Sequence, residues 1–172
     1  MKWEQPNWPR FLPSNTVISV ATLGAVGQRL PAPGTWGSLA GLLLWLAAAH
    51  WLHPSRMHLA LGTAAAALLV LAAGIPASAI VSREAAKGDP SFVVVDEVVG
   101  QWFALIIAST RTWEWLLAFV LFRVFDILKP SPAREFDRMH SGLGIMMDDV
   151  AAGLYAMAVL SLVRFFSTGW QF

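Results

Sequence analysis

Ten of the eleven Asp and Glu residues in this 172-residue chain lie between Glu84 and Asp149, and several interrupt apolar runs. Asp96-Glu97 stands between Val93-Val94-Val95 and Val98-Val99-Gly100. Asp126 is embedded in Val124-Phe125-Asp126-Ile127-Leu128, and Asp148-Asp149 joins Ile145-Met146-Met147 to Val150-Ala151-Ala152-Gly153. Carboxylates in such settings are costly to desolvate unless they are paired or bound to a cation. Hard oxygen ligands select Mg²⁺ or Mn²⁺ over softer metals. The pattern points to a cation-binding catalytic site at a membrane surface.

Four segments carry the chemistry. Leu30-Pro31-Ala32-Pro33-Gly34-Thr35-Trp36-Gly37-Ser38 reads as a loop with Thr35 or Ser38 capping the helix that follows. A helix start with hydroxyls suits a phosphate, although a plain capped loop has the same composition. In Asp96-Glu97, adjacent helical acids point about 100° apart, so one enters the bundle while the other turns along its rim. Gly100, four residues after Asp96, permits close approach of another backbone. Arg123, Asp126 and Lys129 are spaced i, i+3, i+6 before Pro130, which ends the helix. That spacing fits a metal ligand beside phosphate-binding cations, and equally an internal salt-bridge ladder. The fourth segment, His140 to Gly153, reads as a glycine loop entering a helix whose first turn carries Asp148 and Asp149. The small residues Ala151, Ala152 and Gly153 predict tight helix packing around that pair.

The elements that must position these residues are apolar helices. Hydrophobic residues make up 56% of the chain and charged residues only 13%, against roughly 25% in soluble domains. Five apolar segments are expected: Leu39 to Leu52, Leu59 to Ile75, and about Phe92 to Ala108, Trp113 to Leu128 and Val150 to Phe166. The fold class is therefore all-α, a compact integral membrane bundle of about five helices with its polar site at one face. Residues 1–20 read as an interfacial segment without the apolar core of a signal peptide, and residues 21–172 as one domain. Treating the five segments as spans puts nine basic residues on the face that carries the acids and three (Arg56, Arg111, Arg164) on the other. By the positive-inside rule the acid face is cytoplasmic. A net charge of +1, with basic residues scattered among acids, excludes a nucleic-acid partner as the expectation. The absence of Cys excludes a thiol nucleophile and thiolate metal sites. His50, His53 and His58 fall on the opposite face, far from the acids, and read as interfacial loop residues.

Taken together, Pro31–Leu39, Val95–Gly100, Phe122–Pro132 and Gly142–Gly153 resemble, in order and spacing, the motifs of the phosphatidylglycerophosphatase A family. Two departures are Ser141, where a glycine is expected, and Gln28-Arg29 ahead of the proline loop. The resemblance implies an Mg²⁺-dependent lipid phosphatase of the bacterial inner membrane, with a phospholipid substrate in the bilayer. It would convert phosphatidylglycerophosphate to phosphatidylglycerol in phospholipid biosynthesis. On that reading Asp96, Glu97, Asp148 and Asp149 hold the metal. Asp126 acts as ligand or general base, and Asp126, Asp149 and Lys129 form the catalytic group. Thr35, Ser38, Arg123, Lys129 and Arg134 meet the substrate. With no Cys and no Asp-x-Asp-Gly-Thr string, a metal-activated water is the expected nucleophile. The rival readings are a small membrane cation carrier or channel, and a phosphatase for another lipid phosphomonoester.

Overall fold

The computed structural model describes residues 32–84 and 93–168, and every regular element among them is helical. In chain order these are α1 (Pro33–Leu52), α2 (Arg56–Glu84), α3 (Val95–Leu105), α4 (Thr112–Leu128), α5 (Ala133–Asp137) and α6 (Gly142–Thr168). The expected interfacial segment over residues 1–20 lies outside the described residues.

Three helices, α1, α2 and α6, are long and apolar enough to cross a membrane. Their outward faces carry Leu43, Leu44, Leu61, Leu68, Leu69, Leu162, Phe165 and Phe166, all exposed. Large exposed apolar surfaces of this kind are what lipid covers in a membrane protein. The third and fourth expected spans are shorter. Helix α4 has 17 residues, and α3 has only 11, about half of what a crossing needs. Helix α3 is instead the buried centre of the bundle, packed against α1, α2, α4 and α6.

Two helices begin earlier than the sequence pattern suggests. Helix α1 starts at Pro33, so Gly34, Thr35, Gly37 and Ser38 are helical rather than a loop, and Ser38 is not a cap. Proline is compatible with the first helical position, where its missing N–H would lack an intrahelical partner anyway. Ser38 Oγ donates back to Gly34 O at 2.8 Å. Helix α6 starts at Gly142, so Asp148 and Asp149 lie in its second turn rather than its first. Ser141 caps that start: its Oγ accepts from Gly144 N at 3.0 Å. The first glycine of the run packs directly against α2. A Cβ on Gly142 would lie 2.3 Å from Ile75 O.

The tightest crossing is between α3 and α6. A Cβ on Gly153 would lie 2.3 Å from Gly100 O, and one on Gly100 would lie 2.6 Å from Asp149 O. The two glycines therefore let the backbones touch, as expected from Gly100 and the Ala151-Ala152-Gly153 run. This contact brings the start of α3 beside the acid turn of α6. Around it lie two apolar cores. One, containing Leu42, Trp45, Phe122 and Leu160, joins α1, α3, α4 and α6. The other, containing Val81, Val99, Ile145 and Met146, joins α2, α3 and α6.

The bundle has two polar ends. The α3 start, α4 end and α6 start share one. At the other, Arg56 and Arg164 converge on Glu114 at 3.8 Å and 3.7 Å. Glu114 is buried and also accepts from Ser109 N at 2.8 Å. Arg56 and Arg164 were expected at this end; the acid that gathers them was not.

Candidate active site

A polar cavity of about 240 Å³ opens at the acid end, lined by Pro33, Gly34, Val93, Asp96, Glu97, Arg123, Asp126, Lys129, Asp148 and Asp149. Four elements and one loop residue supply it. The first turn of α1 brings Pro33 and Gly34, and the first turn of α3 brings Asp96 and Glu97. The last turns of α4 and its C-cap bring Arg123, Asp126 and Lys129. The second turn of α6 brings the aspartate pair. Gly34 lies close against the acids: a Cβ there would stand 2.5 Å from Glu97 Oε1, so a side chain would displace that carboxylate.

One carboxylate oxygen from each of Asp96, Glu97 and Asp149 lies within 4.8 Å of the others. Among the described residues this is the one such group of His, Cys, Asp or Glu side chains. His50, His53 and His58 form no comparable group; His50 stacks near His53, and His58 Nδ1 pairs with Ser55 Oγ at 2.8 Å. Both acid pairs use one local device. Asp96 Oδ1 accepts from Glu97 N at 3.1 Å, and Asp148 Oδ1 accepts from Asp149 N at 2.9 Å. In each pair the first acid is pinned to the backbone of the second, which fixes how the two diverge.

Burial pushes the Glu97 carboxyl up to about 8, opposed by hydrogen bonding to Asp96 and reinforced by the charges of Asp149 and Asp126. Glu97 Oε2 is buried without a hydrogen-bond partner. Five carboxylates face two cations around the cavity, so the site has room for more positive charge. The donor set is all carboxylate oxygen, buried at Asp96 and Asp149 and half-buried at Glu97, which fits Mg²⁺.

The cations are held by their own partners. Arg123 Nη1 donates to Asp126 Oδ2 at 2.7 Å and to Ser38 Oγ at 3.2 Å. Lys129 Nζ donates to Asp148 Oδ2 at 2.7 Å and also to Asp137 Oδ1. Burial disfavours the Lys129 charge, but Asp148 and Asp137 outweigh it and hold the ammonium above its ordinary pKa. Lys129 adopts left-handed backbone angles (φ 44°, ψ 62°) as the C-cap of α4, a place usually taken by glycine. The side chain, not the backbone, explains a lysine there.

The structure thus gathers Asp96, Glu97, Arg123, Asp126, Lys129, Asp148 and Asp149 around one cavity. Ser38 reaches it through Arg123. Thr35 is exposed on α1 and Arg134 is exposed on α5, and neither lines the cavity. Asp137 was not singled out from sequence, since it lies in a polar stretch where acids are unremarkable. Only the turn through α5 returns it to Lys129.

Comparison with known proteins places the chain in a family. A family model described as phosphatidylglycerophosphatase A matches residues 19–164. A Bacteroides thetaiotaomicron protein named "Putative phosphatidylinositol-3-phosphatase" is 39% identical over 160 residues, covering 91% of this chain and 96% of its own. The phosphatidylglycerophosphatase A proteins of Haemophilus influenzae and Escherichia coli are 39% and 35% identical, each over 137 residues. These matches cover 78% and 76% of this chain and 80% and 73% of theirs. No solved structure matches. The matched stretch contains every residue of the cavity, and this chain belongs to the phosphatidylglycerophosphatase A family.

Proposed function

We propose that this protein is an Mg²⁺-dependent lipid phosphatase that hydrolyses the terminal phosphomonoester of phosphatidylglycerophosphate. The products are phosphatidylglycerol and inorganic phosphate, in phospholipid biosynthesis at the bacterial inner membrane, with the acid end cytoplasmic. The observation that carries this reading is the meeting of Asp96, Glu97 and Asp149 oxygens beside Arg123 and Lys129 in one cavity. Carboxylates alone would repel a phosphate dianion. Acids next to two fixed cations suit a metal ion and a phosphate together.

Asp96, Glu97 and Asp149 would hold the ion. When bound, Mg²⁺ supplies charge neutralisation for the phosphoryl oxygens and makes water easier to deprotonate. Lys129 binds a phosphoryl oxygen as a permanent cation; with its ammonium so strongly stabilised, it is a fixed charge rather than a proton donor. Arg123, steered by Asp126 and Ser38, offers its remaining N–H groups to the same phosphate. Asp126 Oδ1, the oxygen not directed at Arg123 in their 2.7 Å contact, takes the proton of the attacking water. The water oxygen joins phosphorus as the bond to the glycerol oxygen breaks; the glycerol oxygen leaves as the alcohol by taking a proton from solvent, and Asp126 returns to solvent the one it took. Asp148 serves here by orienting Lys129 rather than by ligating the ion.

The name of the Bacteroides relative supports a second reading, hydrolysis of a phosphoinositide monoester by the same groups. Both substrates present a phosphomonoester on a lipid headgroup, and the cavity residues act on that shared moiety. Phosphate release from each lipid by the purified protein, side by side, separates the two. Faster release from phosphatidylglycerophosphate upholds the first reading, and faster release from phosphatidylinositol 3-phosphate replaces it with the second.

A further inference from the structure

Gln101 is fully buried on α3, and neither Nε2 nor Oε1 of its carboxamide has a hydrogen-bond partner. Glu97 Oε2 is the one other buried side-chain nitrogen or oxygen in that condition among the described residues. The two residues are i and i+4 on one helix, so their side chains share a face one turn apart. Among the described residues, the three orphaned polar atoms therefore fall on two neighbouring side chains. An apolar residue would fill position 101 as its neighbours Ala104 and Leu105 fill theirs, both completely buried. A buried amide without a partner works against folding, so its presence calls for a task.

We propose that Gln101 is a positioning residue for Glu97. The two groups are unpaired in the structure; with a cation at the site, Nε2–H of Gln101 would donate to Glu97 Oε2 from one turn deeper in the bundle and turn the carboxylate's other oxygen toward Asp96 and Asp149. A carboxamide suits this task because it donates to a carboxylate without adding a further negative charge to the five already at the cavity. Groups behind the ligands of a metal site set the direction and basicity of those ligands. The inference rests on the proposed reading of Asp96, Glu97 and Asp149 as the cation site.

The test is Mn²⁺ binding, followed by electron paramagnetic resonance, to the purified full-length chain in detergent, with the melting temperature of the metal-free protein alongside. Gln101→Met keeps the side-chain length and removes both polar atoms. It should weaken Mn²⁺ binding about 10- to 100-fold and raise the half-saturating Mg²⁺ for turnover by a similar factor. The metal-free melting temperature should hold or rise, and the KM for lipid at saturating Mg²⁺ should stay unchanged. Wild-type affinity in Gln101→Met, with or without a fall in melting temperature, overturns the proposal. Should that variant fail to fold, Gln101→Asn carries the same comparison, since it keeps the amide but withdraws it by one methylene. Wild-type protein that binds no Mn²⁺ overturns the reading of the acid cluster itself, and the positioning role with it.

Discussion

Lys129 Nζ lies 2.7 Å from Asp148 Oδ2, while Asp149, the next residue, turns its carboxylate toward Asp96 and Glu97. Two adjacent aspartates thus serve different cations: one anchors a cation of the protein, the other joins the group suited to a cation from solution. The 100° between consecutive helical positions makes this division possible.

The division predicts different losses at the two positions. Asp149→Asn should abolish turnover and Mn²⁺ binding together, with the protein still inserted and folded. Asp148→Asn should leave Mn²⁺ binding within a few-fold of wild type and lower kcat about 100-fold by loosening Lys129. Equal loss of metal affinity in both variants would contradict the assignment.

Metal affinity should depend on pH through Glu97. Its folded-state pKa is raised to about 8, so the neutral carboxyl predominates below that value and a bound cation must expel a proton. Affinity for Mg²⁺ should therefore rise with pH, by up to about tenfold per unit below pH 8, and level off above it. Titration calorimetry in buffers of different ionisation enthalpy should show proton release at pH 7 that vanishes near pH 9. Release that does not change between those values would remove Glu97 from the site.

Close approach of α3 and α6 should be intolerant of any side chain at Gly153. A Cβ there would meet Gly100 O at 2.3 Å, a backbone atom that cannot rotate away. Gly153→Ala should destabilise the protein by about 1–3 kcal/mol and lower activity further by parting the two acid turns. Thermal melting and turnover of the same preparation check this, and an unchanged melting temperature would refute it.

The opposite end should affect stability without affecting chemistry. Glu114→Gln weakens the hold on Arg56 and Arg164 and on Ser109 N. Arg56 is more than half exposed, so solvent screening makes its share small. A loss of about 1–2 kcal/mol in stability is expected, with the KM for lipid and the Mg²⁺ requirement unaltered. A changed Mg²⁺ requirement would mean that the two ends are coupled.

The convergence of Asp96-Glu97, Asp126 and Asp148-Asp149 was legible in the sequence because apolar runs alone fix which helix ends share a face. Helix starts were less legible. Pro33, Gly34 and Gly37 read as a loop by local propensity, yet packing against α3 outweighs that propensity and keeps them helical. Gly142 and Gly144 misled in the same way. The shortness of α3 was hidden because the sequence stays apolar past the helix end at Leu105, through Ile106, Ile107 and Ala108. Pairing was the least visible layer. Spacing suggested that Arg123 meets Asp126, but Lys129 with Asp137, and Arg164 with Glu114, depend on tertiary folding that no local pattern encodes.

The central claim is tested most directly by phosphate release from phosphatidylglycerophosphate by the purified protein in detergent, with Mg²⁺ and with chelator. The account predicts release that requires Mg²⁺ and is lost in Asp149→Asn. No release from demonstrably folded protein, or release undiminished by chelator, would contradict it.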